Sequence, residues 1–220
     1  AKRILEAGGT AMDAAISAQM ILNLVEPQSS GIGGGAFILY YDAATKNIYA
    51  WDGREKAPMN FSENIFLNSN GKKKGFIEAV SGGLAVGVPS LVSMLEKAHE
   101  VHGNMPWNTL FDDAIQLSTE GFIVGKRLAK LTSRAPHLKN QETAKEYFSI
   151  DNGGLREGDL KKNIEFAESL KLIRDNGSEA ILHGKLADDI LSTVKKHKSS
   201  PGVMTKNDFN FVNPLLTKPI

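Results

Sequence analysis

The spacing of apolar positions changes along this chain, and the changes separate an early β-containing part from a later helical part. Ile4, Leu5 and Ala7 begin a short helix that Gly8-Gly9 ends. Thr10-Ala11-Met12-Asp13 has the spacing of a capping box, with aspartate where glutamate is usual. Ala11, Ala14, Ala15, Ala18, Ile21, Leu22 and Val25 then recur at three- and four-residue steps, which predicts a helix with a narrow alanine face, stopped by Pro27. A turn rich in glycine follows, with Gly31, Gly33, Gly34 and Gly35. The runs Phe37 to Asp42 and Asn47 to Asp52 predict a β-hairpin closed through Ala43-Ala44-Thr45-Lys46, with Tyr40, Tyr41, Tyr49 and Trp51 pairing across it. The second strand leads straight into Asp52-Gly53-Arg54-Glu55, so an arginine and a glutamate stand on the loop past a strand end, where a rigid sheet can hold chemistry in place.

Beyond Pro58 the period is that of helices. Gly71 to Gly75 reads as an exposed turn, and Ser81 to Gly87 as a second glycine-rich passage. Pro89 opens a helix that buries Leu91, Val92, Leu95, Ala98 and Val101 and closes at Gly103. A helix from about Pro106 to Glu120 turns Leu110, Ala114 and Leu117 inward, and another runs from Gly125 to Ala135. Gln141 to Asn152 is polar and peripheral. Asp159 is placed to cap a helix carrying Leu160, Ile164, Ala167, Leu170 and Ile173, which stops at Asn176-Gly177. Lys185 to Lys198 is a further amphipathic helix, and Thr205 to Asp208 repeats the capping-box spacing. The fold class this predicts is α+β.

Composition narrows the functional classes. The 220 residues are 41% hydrophobic and 23% charged with a formal net charge of +1, which is ordinary globular material. Lys72-Lys73-Lys74 and Lys195-Lys196 are short basic runs among polar residues, so no nucleic-acid partner is expected. The absence of cysteine excludes a disulfide framework, a thiolate metal site and a cysteine nucleophile. No apolar run approaches the ~20 residues of a membrane span. Ala1-Lys2-Arg3-Ile4 starts inside a helical pattern and Leu215 to Ile220 has no tail character. The expectation is a single partial domain over residues 1–220, truncated at both ends, with any targeting segment upstream.

Several constellations bear on chemistry. Gly31 to Ala36 matches the dinucleotide fingerprint in letters, but a helix precedes it and a strand follows, the reverse of the order that places a pyrophosphate on a helix N-terminus. The glycines are read instead as permitting backbone angles closed to other residues, or close packing of chain on chain, in a supporting role beside a site. His99 and His102 are three apart on a helix, yet no further ligand stands at a metal-site spacing, and no metal or cofactor is expected. Ser29-Ser30 has no base in view. Arg54-Glu55 carries two readings: an ion pair tying loop to helix, or a guanidinium fork taking a substrate carboxylate through two parallel hydrogen bonds.

Three blocks carry a resemblance: Gly8-Gly9-Thr10-Ala11-Met12-Asp13-Ala14-Ala15, Glu26-Pro27-Gln28-Ser29-Ser30-Gly31-Ile32-Gly33-Gly34-Gly35, and Asp52-Gly53-Arg54-Glu55-Lys56-Ala57-Pro58. With Val88-Pro89, Trp107 to Phe122 and Pro201 to Thr205, they make nearly the whole chain resemble the γ-glutamyltranspeptidase family, apart from Thr10 where asparagine is more usual and Ala36 closing the glycine run. The resemblance implies an N-terminal-nucleophile hydrolase with an αββα sandwich, present here as a helix-rich part of the large subunit. In that family an autoprocessed zymogen yields a large and a small subunit. The small subunit's N-terminal threonine forms an acyl-enzyme from γ-glutamyl amides such as glutathione, and water or an amino acid or peptide then takes the acyl group. No catalytic residue is expected in this chain, because Ala1 is not a threonine and no internal threonine, Thr10 and Thr205 included, has a free amine. Arg54 transfers as the ligand of the substrate α-carboxylate, and Glu55 as its neighbour. The expected partners are the small subunit, the γ-glutamyl substrate and an acceptor, in a periplasmic or extracellular setting. Alternatives are a γ-polyglutamate depolymerase or cephalosporin acylase-like relative, or a non-catalytic binding module.

Overall fold

The computed structural model describes residues 1–219, apart from the side chain of Pro136. Its order is α1 (Lys2–Glu6), α2 (Ala11–Val25), β1 (Ala36–Asp42), β2 (Asn47–Gly53), α3 (Phe76–Val80), α4 (Leu91–His102), α5 (Asp112–Glu120) and β3 (Phe122–Ile123). Then come α6 (Lys126–Thr132), α7 (Glu142–Tyr147), β4 (Leu160–Lys161), α8 (Ile164–Asn176), α9 (Glu179–Leu182), α10 (Lys185–Lys195), α11 (Lys206–Phe209) and β5 (Leu215–Thr217). The α+β class is the one the apolar pattern predicts.

The hairpin forms in the expected register, with Tyr40 opposite Tyr49 and Ile38 opposite Trp51. Its turn is held by Asp42, whose carboxylate accepts from the Ala44 amide and the Thr45 hydroxyl. Strict alternation gives the sheet two unlike faces. Ile38, Tyr40 and Trp51 face the helices, where His102 of α4 stacks on Tyr40 with ring centroids 4.3 Å apart. Phe37, Leu39, Tyr41 and Ile48 face the other way and are exposed. The hairpin's sheet thus carries helices on one face and is bare on the other, which is half of an αββα arrangement, while β3 and β4 form a separate two-stranded ladder. A third strand, β5, pairs antiparallel with β2 and puts Leu215 opposite Asp52. The sequence reading assigned no strand there, because three residues are too few to show a period.

The structure corrects several further expectations. The expected alanine face of α2 is only partly buried: Ala14 is buried and Ile21 and Val25 pack against the core, but Ala11, Ala15 and Leu22 are exposed, and Met12, Ile16, Met20 and Leu24 form the buried side. Both stripes have helical spacing, but the large side chains remove several times more apolar surface from water. Asn163, not Asp159, caps α8 by accepting from the Phe166 amide, while Leu160 lies in β4 against Ile123. Asp159 instead receives the Arg156 amide. The helix expected from Pro106 begins as a 3-10 turn, Trp107–Phe111, before α5. Val101 is exposed.

Both capping boxes form, and each aspartate does more than cap. Asp13 is fully buried and accepts from the Thr10 amide and hydroxyl and from the Asn104 and Met105 amides, tying the start of α2 to the loop after α4. Asp208 is bonded by the Thr205 amide and hydroxyl and by the Met59 amide, so α11 holds the loop that leaves Pro58.

Candidate functional site

The sheet, the glycine turn and the N-terminus of α4 meet at one corner. The carbonyl of Gly34 accepts from the Ser90 and Leu91 amides at 3.1 and 2.9 Å, so the turn itself caps α4. The helix N-terminus that a dinucleotide phosphate would need is thereby already occupied. The Ser90 hydroxyl donates to the Gly53 carbonyl. Beyond Arg54, the Val88 amide donates to the Lys56 carbonyl at 2.9 Å. The loop carrying Arg54 and Glu55 is therefore fastened at both ends to rigid elements.

Gly35 sits directly beneath this loop. A Cβ there would lie 2.4 Å from the Gly53 oxygen, 2.7 Å from the Glu55 nitrogen and 2.9 Å from the Arg54 Cα. All three are backbone atoms of the loop, so any side chain at Gly35 displaces the arginine. The close-packing reading of the glycine turn holds at this position. At Gly31 and Gly33 a Cβ would meet open space, and packing within the chain gives no reason for glycine there.

The Arg54 guanidinium is half exposed and held at two corners. Nη1 donates to the Gly35 carbonyl at 3.0 Å, and Nη2 is 2.9 Å from Glu55 Oε2. Its Cζ lies 5.9 Å from the centre of the Phe37 ring. The Arg54 amide is turned by a bond to Asp52 Oδ1 at 3.0 Å. A guanidinium has five N–H donors, and these two bonds leave three for a ligand. Beside it opens a cavity of about 340 Å³, walled by Met59, Phe211, Val212 and Pro214 on the far side. The ion pair is present, though it joins neighbours on one loop and not loop to helix, and the arginine, with donors left over, lines the cavity. Nothing in the local pattern points to Gly35 or Phe37 as neighbours of Arg54, although the period-2 alternation of β1 puts Phe37 on the outer face. Nor did it show that residues 211–214 form the opposite wall, since pairing of β5 with β2 brings them there.

The other candidates resolve into structure. Ser29 Oγ accepts from Arg127 Nη2, whose Nη1 also pairs with Glu26 at 2.9 Å. Ser30 Oγ donates to Asn23 and accepts from Gln19. Neither serine has a base beside it. His99 Nε2 lies 2.9 Å from the Met105 carbonyl and 3.4 Å from Asp13, whereas His102 is stacked under the sheet and burial pushes its imidazole pKa down. Among the described residues no group of three or more His, Asp or Glu is placed to hold a metal ion.

A sheet with helices on one face, and an arginine at its edge with donors to spare, defines a layered α+β protein. A sequence model of the gamma-glutamyltranspeptidase family matches residues 1–220, and the chain belongs to that family. It is 36% identical over 217 residues to the glutathione hydrolase proenzyme of Bacillus subtilis strain 168, covering 99% of this chain and 36% of the relative's length. The crystal structure of Helicobacter pylori gamma-glutamyltranspeptidase superposes with a TM-score of 0.92 at 31% identity, covering 100% of this chain and 62% of that one. The cephalosporin acylase from Bacillus halodurans superposes with a TM-score of 0.81 at 28% identity, covering 99% of this chain and 40% of that one. The chain therefore spans about a third of the curated relative's length.

Proposed function

We propose that this chain is part of the large subunit of an enzyme that cleaves γ-glutamyl amides, glutathione among them. In this reading a threonine at the start of a small-subunit segment attacks the γ-carbonyl carbon. The amide C–N bond breaks, the amine leaves with a proton, and a γ-glutamyl ester of the threonine remains. Water or the amine of an amino acid or peptide then attacks the same carbon and releases the threonine oxygen. The threonine's own amine can act as the base. Arg54 takes the α-carboxylate of the γ-glutamyl group through its remaining donors, and Glu55 steadies it.

The observation that carries this reading is the anchored Arg54 guanidinium facing a cavity, in a chain of this family. The bare outer face of the sheet, with Phe37, Leu39, Tyr41 and Ile48 exposed, supports a small subunit whose own sheet completes the αββα sandwich. Among the described residues no helix is long and apolar enough to cross a membrane. The setting we assign is periplasmic or extracellular, following the family resemblance. The decisive experiment uses the assembled two-subunit enzyme and two anilides, the γ-glutamyl compound and its 4-aminobutanoyl analogue without the α-carboxylate. Arg54→Ala is expected to lower kcat/KM for the first far more than for the second. Equal losses would return Arg54 to a structural role. The likeness to the cephalosporin acylase carries a second reading, an acylase of the same fold. Faster turnover of a cephalosporin amide than of the γ-glutamyl anilide would favour it.

A further inference from the structure

The Arg54 guanidinium is bounded on three sides. The Gly35 carbonyl takes Nη1, the Glu55 carboxylate takes Nη2, and the guanidinium carbon sits over the Phe37 ring, 5.9 Å from its centre. Phe37 is the second residue of this bracket to come from one short stretch, the exit of the glycine turn into β1. Its side chain is 68% exposed, on the outer face of the sheet, so it contributes little to the core of this chain. A phenylalanine ring under a guanidinium attracts the cation through its quadrupole. Two hydrogen bonds and the side chain's own Nε–Cδ bond orient the planar group, and the ring adds an electrostatic attraction that favours this position.

We infer that Phe37 is a positioning residue for Arg54, with Gly35 as its backbone counterpart. The two hold the guanidinium in place, so that its remaining N–H donors meet the substrate carboxylate. This rests on the proposed role of Arg54 and assigns no contact between Phe37 and substrate.

The test uses the assembled enzyme, the γ-glutamyl anilide and its 4-aminobutanoyl analogue. Phe37→Leu keeps apolar bulk and removes the ring face. It should raise KM for the γ-glutamyl anilide by about 2- to 5-fold with kcat nearly unchanged, from a cation–π contact of ordinary strength. Kinetics on the analogue should not move. Phe37→Tyr should restore the parent KM. Gly35→Ala, which pushes on the loop backbone, should raise KM by about tenfold or more on the first substrate alone. If that variant fails to assemble, the Phe37 pair decides. A melting temperature lowered by Phe37→Leu with both substrates affected alike, or no rescue by tyrosine, would overturn the inference. Arg54→Ala in the same series separates the two levels. Selective loss with Arg54→Ala but none with Phe37→Leu removes the positioning role and keeps the carboxylate site. Equal loss on both substrates with Arg54→Ala removes both.

Discussion

Two charged centres in this chain look alike in the sequence and differ in the structure. Asp13 and Arg54 each belong to a glycine-containing block, and each is held by backbone groups from another part of the chain. Asp13 is fully buried, with four donors on its carboxylate and His99 3.4 Å away. Arg54 is half exposed, with one partner at each of two corners and N–H groups left over. The comparison teaches that burial and bonding within the chain distinguish a knot from a site. A buried charge held by four donors of its own chain holds the fold, and no ligand can displace them cheaply. A charge with rigid anchors and unfilled capacity, facing a cavity, is preorganised for something else.

The comparison is tested most severely at Arg54. Arg54→Ala is expected to lower kcat/KM for γ-glutamyl substrates by roughly 30-fold to several thousand-fold, the equivalent of about 2–5 kcal/mol for a truncated charge pair. Arg54→Lys should recover only part, because an ammonium cannot present a fork. The melting temperature should stay close to the parent's. A large fall in melting temperature with unaltered kinetics would make Arg54 a second Asp13 and abolish the contrast.

Asp13→Ala should behave in the opposite way. It leaves the Asn104 and Met105 amides and the Thr10 cap without their acceptor, and the expected destabilisation is about 3–4 kcal/mol, read by denaturant unfolding. Enzyme that remains folded should keep its KM. Altered substrate discrimination without loss of stability would place Asp13 in the site.

Acid sharpens the same point. Burial pushes the Asp13 and Asp208 carboxyls up, but their hydrogen bonds from backbone amides and threonine hydroxyls outweigh it, so both sit below the ordinary carboxylate range. The stability they supply is complete above the unfolded value of about 4 and is lost as pH falls through the lower folded values. The melting temperature of Asp13→Asn should therefore be lower than the parent's at pH 7. It should also fall less steeply than the parent's between about pH 4 and pH 2. Parallel pH curves would mean that Asp13 is not held ionised by the fold.

The smallest effect is expected at Glu55. Glu55→Gln keeps an acceptor near Nη2 and removes a partly exposed charge, a change of about 0.5–1 kcal/mol, or roughly 2- to 5-fold in KM for the γ-glutamyl anilide. A loss as large as that of Arg54→Ala would give Glu55 a direct part in binding.

Legibility followed the range of the interactions involved. The hairpin, the two capping boxes and the stop of α2 at Pro27 depend on neighbours within a few residues, and the pattern showed them. The strand β5 and the wall formed by residues 211–214 depend on pairing across more than 160 positions, and no local period announces that. The buried side of α2 was misread because the helix carries two apolar stripes, and neighbouring elements chose between them. Met20 and Ile16 went inward, while Asp13 followed them because the Asn104 and Met105 amides were waiting there.

At the candidate site the division is the same. The sequence by itself determined the α+β class, the family, and Arg54-Glu55 as the residues to watch, because motif blocks are contiguous and their letters are sufficient. Only the tertiary structure decided what those residues can do. It set the Gly35 carbonyl on the guanidinium with the Phe37 ring centre 5.9 Å from its carbon, and it put four donors on the buried Asp13 while leaving donors on Arg54. The physical reason is that a hydrogen-bonding group's capacity is written in its chemistry, but how much of that capacity is taken up depends on backbone groups brought from distant parts of the chain.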